Sequence, residues 1–353
     1  MGGGRRLAVG LTLAAALTHA GCGGDAWVSR LYVTSGFTDQ VFVLDAATGA
    51  LLDSIDVDLR PGESDEPHGI AIAPDGERWY VTLSHGEPTL WAFEAAGDRL
   101  VGRLRLDLPG ASRVRITPDG QRAFIPDYYR SGMGAISGIS VVDLDALTVA
   151  AELTVCAAPH DAAVSPDGAL VAIACSLSDE VVLLDASSFT ERVRVTAGDA
   201  PGSPGTPRYR PLNVTWLPDG SAFFVGMHAA DEVVRFARDG TRGPTVATGP
   251  GPAQLAITPG GLLLIPHRMD GTLSVLDART LREQARIPLG GAHPHGIAVS
   301  SDGGSAWLTL EGEAGTAGTV VAVDLVDLSV RWRRDLGGYL LGIAVREPSG
   351  GAS

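Results

Sequence analysis

The chain has 353 residues, is 45% hydrophobic and carries a formal net charge of −14. That length and apolar content suit one large domain or two ordinary ones with a real core. The acidic balance argues against nucleic acid and anionic lipid surfaces as general partners. No lysine occurs, and all 27 basic residues are arginine, which excludes Schiff-base chemistry and a lysine-dependent phosphate loop.

Residues 1–22 read as a leader. Arg5 and Arg6 form a basic start, and 7–17 is an apolar stretch too short to span a bilayer. His19-Ala20-Gly21-Cys22 then resembles the bacterial lipoprotein signal, which implies a lipid on Cys22 and a tether over 23–29. His19 stands where leucine is usual, so plain secretion is the alternative. Either way the mature chain is expected outside the cytoplasm, touching a membrane only through its anchor. Cys156 and Cys175 are the cysteines that remain, and in an oxidising compartment they are expected to pair; two buried thiols are the alternative.

From residue 30 onward one unit repeats. Pro67-His68-Gly69-Ile70-Ala71-Ile72 is a short apolar run, Pro74-Asp75-Gly76 a turn, and Trp79-Tyr80-Val81-Thr82 a second run. The turn returns as Pro118-Asp119-Gly120, Pro166-Asp167-Gly168, Pro218-Asp219-Gly220, Pro259-Gly260-Gly261 and Ser301-Asp302-Gly303, every 41 to 52 residues. Asp-Gly between apolar runs is a hairpin pattern, because glycine accepts the positive φ of a tight turn. Between these units lie apolar runs ending in an acid: Asp45, Glu94, Asp143, Asp185, Asp277 and Asp324, with 233–237 as the member that lacks one. An acid repeated at that position predicts a turn cap rather than a catalytic group. Four strands per repeat and no helical period predict an all-β, seven-bladed β-propeller over 30–346, with a short tail at 347–353. The first blade starts with three strands. Its missing inner strand is expected from Leu341-Gly342-Ile343-Ala344-Val345 at the other end, closing the ring.

Arg30-Leu31-Tyr32-Val33-Thr34-Ser35, Trp79-Tyr80-Val81-Thr82 and 294–303 resemble the YVTN-type β-propeller repeat. That resemblance implies a secreted or cell-surface propeller close to the lactonase-like propellers. It speaks to fold more than function, since propellers host enzymes and scaffolds alike.

Antiparallel order places the tight Asp-Gly turns on one face and the long connections 60–66, 128–138, 197–210 and 311–318 on the other. Long loops on a rigid ring are where binding residues concentrate. His68, His160 and His295 share one repeat position before an inner strand, and His85, His228 and His267 follow second strands. All six are expected at the loop-bearing mouth with His293, Arg113, Asp127, Tyr128, Tyr129, Asn213, Gln254, Arg268 and Glu311. Three readings follow: a mouth that binds a small ligand or a partner's segment; a metal site, with a transition metal on His68, His160 and His295 or with Ca²⁺ as the other metal considered; or turn residues bonding the backbone. The absence of H-E-x-x-H, C-x-x-C, C-x-x-C-H and Gly-x-Ser-x-Gly removes the corresponding protease, redox, haem and hydrolase motifs. The expectation is a monomeric extracytoplasmic binding module. A lactonase-like hydrolase and a metal or redox-partner protein are the alternatives.

Overall fold

The computed structural model describes residues 1–2, 28–128, 135–312 and 316–348. The expected leader with Cys22, most of the tether, Tyr129 and the end of the tail lie outside the described residues. The described chain forms seven four-stranded antiparallel sheets arranged as the blades of a β-propeller, with no helix among the described residues.

The inner strands are Leu340–Arg346 in blade 1, Pro67–Ile72 in blade 2 and Arg115–Ile116 in blade 3. Pro159–Val164 and Pro211–Trp216 follow in blades 4 and 5, then Ala256–Ile257 and Pro294–Val299 in blades 6 and 7. The ring closes as the repeat pattern predicts. The C-terminal strand pairs antiparallel with Arg30–Ser35, in the register Leu31 opposite Val345 and Tyr32 opposite Ala344. This leaves no open sheet edge at the seam.

Two inner strands are much shorter than their apolar runs suggest. In blades 3 and 6 only two residues pair regularly, preceded by an isolated bridge from Ala111 to Asp127 and from Pro252 to His267. The other five blades carry a register shift at the same end of the inner strand. A bulge here bends the strand and re-aims its side chains. The connection expected over 128–138 is also trimmed, because the third strand of blade 3 already begins at Ile136.

Third strands are apolar on both faces, as in Gln40–Asp45, whereas outer strands alternate, as in Arg99–Arg105. The core is therefore a ring of layers between blades. Tyr32, Val43, Trp79 and Trp91 fill the layer between blades 1 and 2. Leu31, Leu44, Trp307 and Val320 fill the one that spans the closure. The recurrent acids cap their turns: Asp45 Oδ1 accepts the Ala47 and Thr48 amides, and Asp277 Oδ1 those of Arg279 and Thr280. Glu94 departs from this and pairs with Arg99. The tight-turn glycines all have positive φ, from 67° at Gly220 to 84° at Gly261.

Cys156 and Cys175 are joined in a buried disulfide with a Cα separation of 5.9 Å. Cys156 precedes the inner strand of blade 4, Pro159–Val164. It sits in the long outer strand of blade 3, Thr148–Ala157, so the bond ties two blades together.

Candidate functional site

The mouth is built from one backbone position repeated seven times. The last residue of each inter-blade connection has a positive φ: Glu66, Gly110, Ala158, Arg210, Gly251, His293 and Tyr339, between 50° and 91°. For a non-glycine residue this conformation is uncommon and strained. Its recurrence in every blade makes it a property of the repeat. Two residues later come His68, Ser112, His160, Leu212, Ala253, His295 and Leu341, and then Gly69, Arg113, Asp161, Asn213, Gln254, Gly296 and Gly342. These three positions from each blade surround the end of the central channel. An aspartate in the turn after the second strand, buried in blades 1 and 4 and exposed in blade 5, fixes the connection in several blades. Asp39 accepts the Asp65 and Glu66 amides, Asp179 those of Tyr209 and Arg210, and Asp231 that of Gly251.

The third position divides the neck into two arcs. In blades 7, 1 and 2 it is glycine, and the space is gone. A Cβ on Gly69 would lie 2.2 Å from the Ser112 carbonyl oxygen, on Gly342 2.3 Å from that of His68, and on Gly296 2.4 Å from that of Leu341. Each glycine N–H is taken by a threonine of the second strand. Gly69 donates to Thr82 Oγ1, which donates to Ser112 of the next blade. Thr309 serves Gly296 and Leu341, and Thr34 serves Gly342 and His68. Blades 3 to 6 have Pro126, Ala174, Gly226 and Pro266 where these threonines stand.

In those four blades the third position carries a long or polar side chain instead. Two of the four bridge blades: Asp161 accepts the Val214 amide at 3.1 Å, and Gln254 that of Ile297 at 3.3 Å. The other two do not. Arg113 Nε and Asn213 Nδ2 are buried without a hydrogen-bond partner among the described residues, as is Arg210 Nε beside them. Asp161, whose charge acts on Arg113, is already held by two 2.7 Å bonds from Arg115. Burial raises the Asp161 carboxyl, but Arg115 outweighs it and brings it to about 2. Burial lowers Arg113 to about 10, so it remains a buried cation without a dedicated counter-ion.

The histidines are set in one tautomer. Nδ1 lies 3.1 Å from the Ser112 carbonyl in His68, 2.8 Å from Leu212 in His160, 3.2 Å from Pro252 in His228 and 3.2 Å from Leu341 in His295. A carbonyl only accepts, so Nδ1 carries the proton. Burial, reinforced by Arg113, holds His68 down at about 4. Burial also keeps His160 and His295 well below the usual range, with Arg113 again contributing. These rings are neutral at pH 7 and present Nε2 as an acceptor. The His68 and His295 rings meet edge-on with centroids 5.2 Å apart, and Tyr128 meets His160 in the same way at 4.3 Å.

Together these groups enclose a cavity of about 370 Å³. Of the residues expected at the mouth, His68, His85, His160, His228, His295, Arg113, Tyr128, Asn213, Gln254, Arg268 and Glu311 line it, whereas His267 and His293 do not. His267 is fully buried behind the wall, bonded to Thr272 Oγ1 and the Gly249 amide. It does not follow the second strand, as expected, but ends it: the strand runs Leu262–His267, so His267 stands where Met227 does in blade 5, and His228 lies one residue beyond. Asp127 is also absent from the lining and accepts a bond from Ser137. Arg268 and Glu311 form a bidentate pair. The histidine trio is not gathered as a metal-ligand set. Among the described residues the three-ligand cluster that comes within 4.8 Å is Asp39, Asp58 and Asp65. In that cluster Asp39 and Asp65 are already committed to loop amides and to Arg60.

Glu66, Arg210 and Tyr339 also line the cavity, and motif reading did not single them out. The pattern that finds them is positional: each stands two residues before a mouth residue. Glu66 Oε2 lies 3.2 Å from His85 Nδ1. Burial, then Glu311 and Asp39, push its carboxyl up to about 7.

No family model matches the chain, and no curated protein matches it. Solved structures do share the fold. A periplasmic gluconolactonase of Pseudomonas aeruginosa superposes with a TM-score of 0.70 at 16% identity, covering 90% of this chain and 99% of that one. A functionally unknown protein from Desulfotomaculum acetoxidans gives 0.70 at 17%, covering 91% and 99%. Kuenenia stuttgartiensis hydrazine synthase gives 0.61 at 17%, covering 76% and 79%. At these identities the likeness extends to the fold alone.

Proposed function

We propose that this propeller is an extracytoplasmic binding protein whose channel mouth takes a small anionic ligand. The observation that carries this reading is the buried, unpartnered Arg113 Nε, together with unpartnered Asn213 Nδ2 and Arg210 Nε, on three residues that line the same cavity. Leaving such donors unsatisfied costs on the order of 1–3 kcal/mol each. An anion accepting from them recovers that energy and neutralises Arg113. A cavity of about 370 Å³ falls within the usual range for small-molecule sites, roughly 300–1,000 Å³. The placement outside the cytoplasm is supported by the leader pattern ending at Cys22 and by the disulfide; a lipid anchor on Cys22 and kinship with YVTN-type repeats belong to the same proposal.

Calorimetric titration of the purified chain with D-galacturonate, lactate and inorganic phosphate tests it. At least one is expected to bind, and Arg113→Gln is expected to weaken that binding about a hundredfold, the scale of a lost charge-assisted pair. No binding, or equal binding by the variant, overturns the reading.

A second reading, lactone hydrolysis, is favoured by one feature: Glu66, raised to about 7 and in contact with His85, is poised as a general base on the same cavity. The gluconolactonase among the structural neighbours agrees with it at the level of fold. Loss of glucono-lactone hydrolysis in Glu66→Gln is the expected result, and absence of hydrolysis by the unaltered chain removes this reading.

A further inference from the structure

At blade 1 the polar mouth meets an aromatic ledge. Phe37 lies in the turn after the second strand and is 51% exposed. Its ring stacks on Tyr339 with centroids 4.6 Å apart and planes 15° from parallel. Tyr339 itself lines the cavity, so the pair runs from the cavity wall out to solvent. The ledge is built in. Tyr339 occupies the repeated positive-φ position, and its carbonyl accepts the Gly36 amide at 3.0 Å. Gly36 also makes the room: a Cβ there would lie 2.9 Å from the Tyr339 ring and 3.0 Å from Glu66 Cγ. An exposed phenylalanine held flat against a cavity wall is not explained by the core, since neither ring belongs to an inter-blade layer.

We infer that the mouth binds an acidic saccharide of more than one ring, with its charged sugar inside and the next sugar stacked on the Phe37–Tyr339 ledge. The inference rests on the anion reading above and names its ligand class. Three features divide the work. Arg113, Arg210 and Asn213 offer donors to a carboxylate. His68, His160 and His295 offer Nε2 acceptors, which suit neutral hydroxyl donors; an ammonium group there would face Arg113. The ledge offers an apolar flat surface, matching the C–H face of a pyranose ring, at the rim where a second ring would emerge. A plain small anion would use the first feature only.

Calorimetry on the full chain with D-galacturonate, digalacturonate and the neutral disaccharide galactobiose tests this. Digalacturonate is expected to bind about tenfold more tightly than galacturonate, and galactobiose far more weakly than either. Phe37→Ala is expected to collapse the gain of disaccharide over monosaccharide to near unity, with the melting temperature checked in parallel because Phe37 lies on an exposed turn. A gain that survives Phe37→Ala, no gain in the unaltered chain, or galactobiose binding as well as digalacturonate overturns the inference. Arg113→Gln separates the two levels: galacturonate binding that withstands it removes the anion reading itself. Binding that Arg113→Gln abolishes, but to which the second ring adds nothing, leaves the anion reading standing and removes the saccharide ledge.

Discussion

The neck of the channel is built in two ways on one backbone. Across blades 7, 1 and 2 the blades are drawn together until only glycine fits, and threonine hydroxyls relay the hydrogen bonds from one blade to the next. Across blades 3 to 6 the threonines are absent and side chains fill the gap, two as inter-blade links and two with donors left over. At its third position the first arc satisfies its polar groups and offers a ligand no side chain. The second carries an excess of donors and a buried charge, which the fold itself does not require. Stability and binding capacity are thus separated around the same ring.

The largest effect expected to sharpen this contrast is that of pH, which acts on the histidines that span both arcs. Their folded values lie below the ordinary 6.5. Below that pH the unfolded chain binds more protons, and stability falls on acidification. His68 alone, held at about 4, contributes a loss of about 3 kcal/mol by pH 4, with His160 and His295 acting in the same direction. Glu66 works the opposite way. Its folded value of about 7 means that stability rises as pH falls from about 7 towards 4.5. Urea midpoints from pH 8 to 4 should therefore drop below 6.5, less steeply in His68→Asn, and Glu66→Gln should remove the counter-trend. A flat profile would show that these rings are not held neutral by the fold.

Next in size is the glycine arc. Gly69→Ala places a methyl against the Ser112 carbonyl and is expected to cost about 3 kcal/mol. The matching change in the other arc, Asn213→Gly, should cost less than about 1 kcal/mol, because its Nδ2 has no partner to lose. Equal losses in chemical denaturation would erase the distinction between the arcs. The smallest effect has the opposite sign: Arg113→Gln, which weakens anion binding, should hold or raise stability by about 1 kcal/mol by removing an uncompensated buried cation. Strong destabilisation by that change would make Arg113 a structural residue.

The same tests bear on the histidines as ligands. Strand entrances are often free positions, where alanine does no harm to the fold. Each ring instead donates Nδ1–H to a carbonyl of the next blade, so these histidines are at once inter-blade links and cavity lining. A triple alanine variant removes both roles together, which is why Arg113 and Phe37 are the cleaner probes.

Much of the molecule is written locally in the chain. The seven-fold count, the Asp-Gly turns, the capping acids, the ring closure through 341–345 and the face that carries the long loops all follow from short-range patterns. Turn chemistry and strand alternation act within a few residues, and the repeat copies them. The pairing of Cys156 with Cys175 was also legible, though not that Cys156 belongs to the outer strand of the preceding blade. What only the tertiary structure decided depends on neighbours from different blades. Glu66, Arg210 and Tyr339 carry no motif and reach the mouth because the backbone before every inner strand turns through a positive φ. Arg113 and Asn213 are left with unsatisfied donors because the blades beside them supply no acceptor. A side chain's partner across a blade interface is set by the ring as a whole, and no local pattern encodes it.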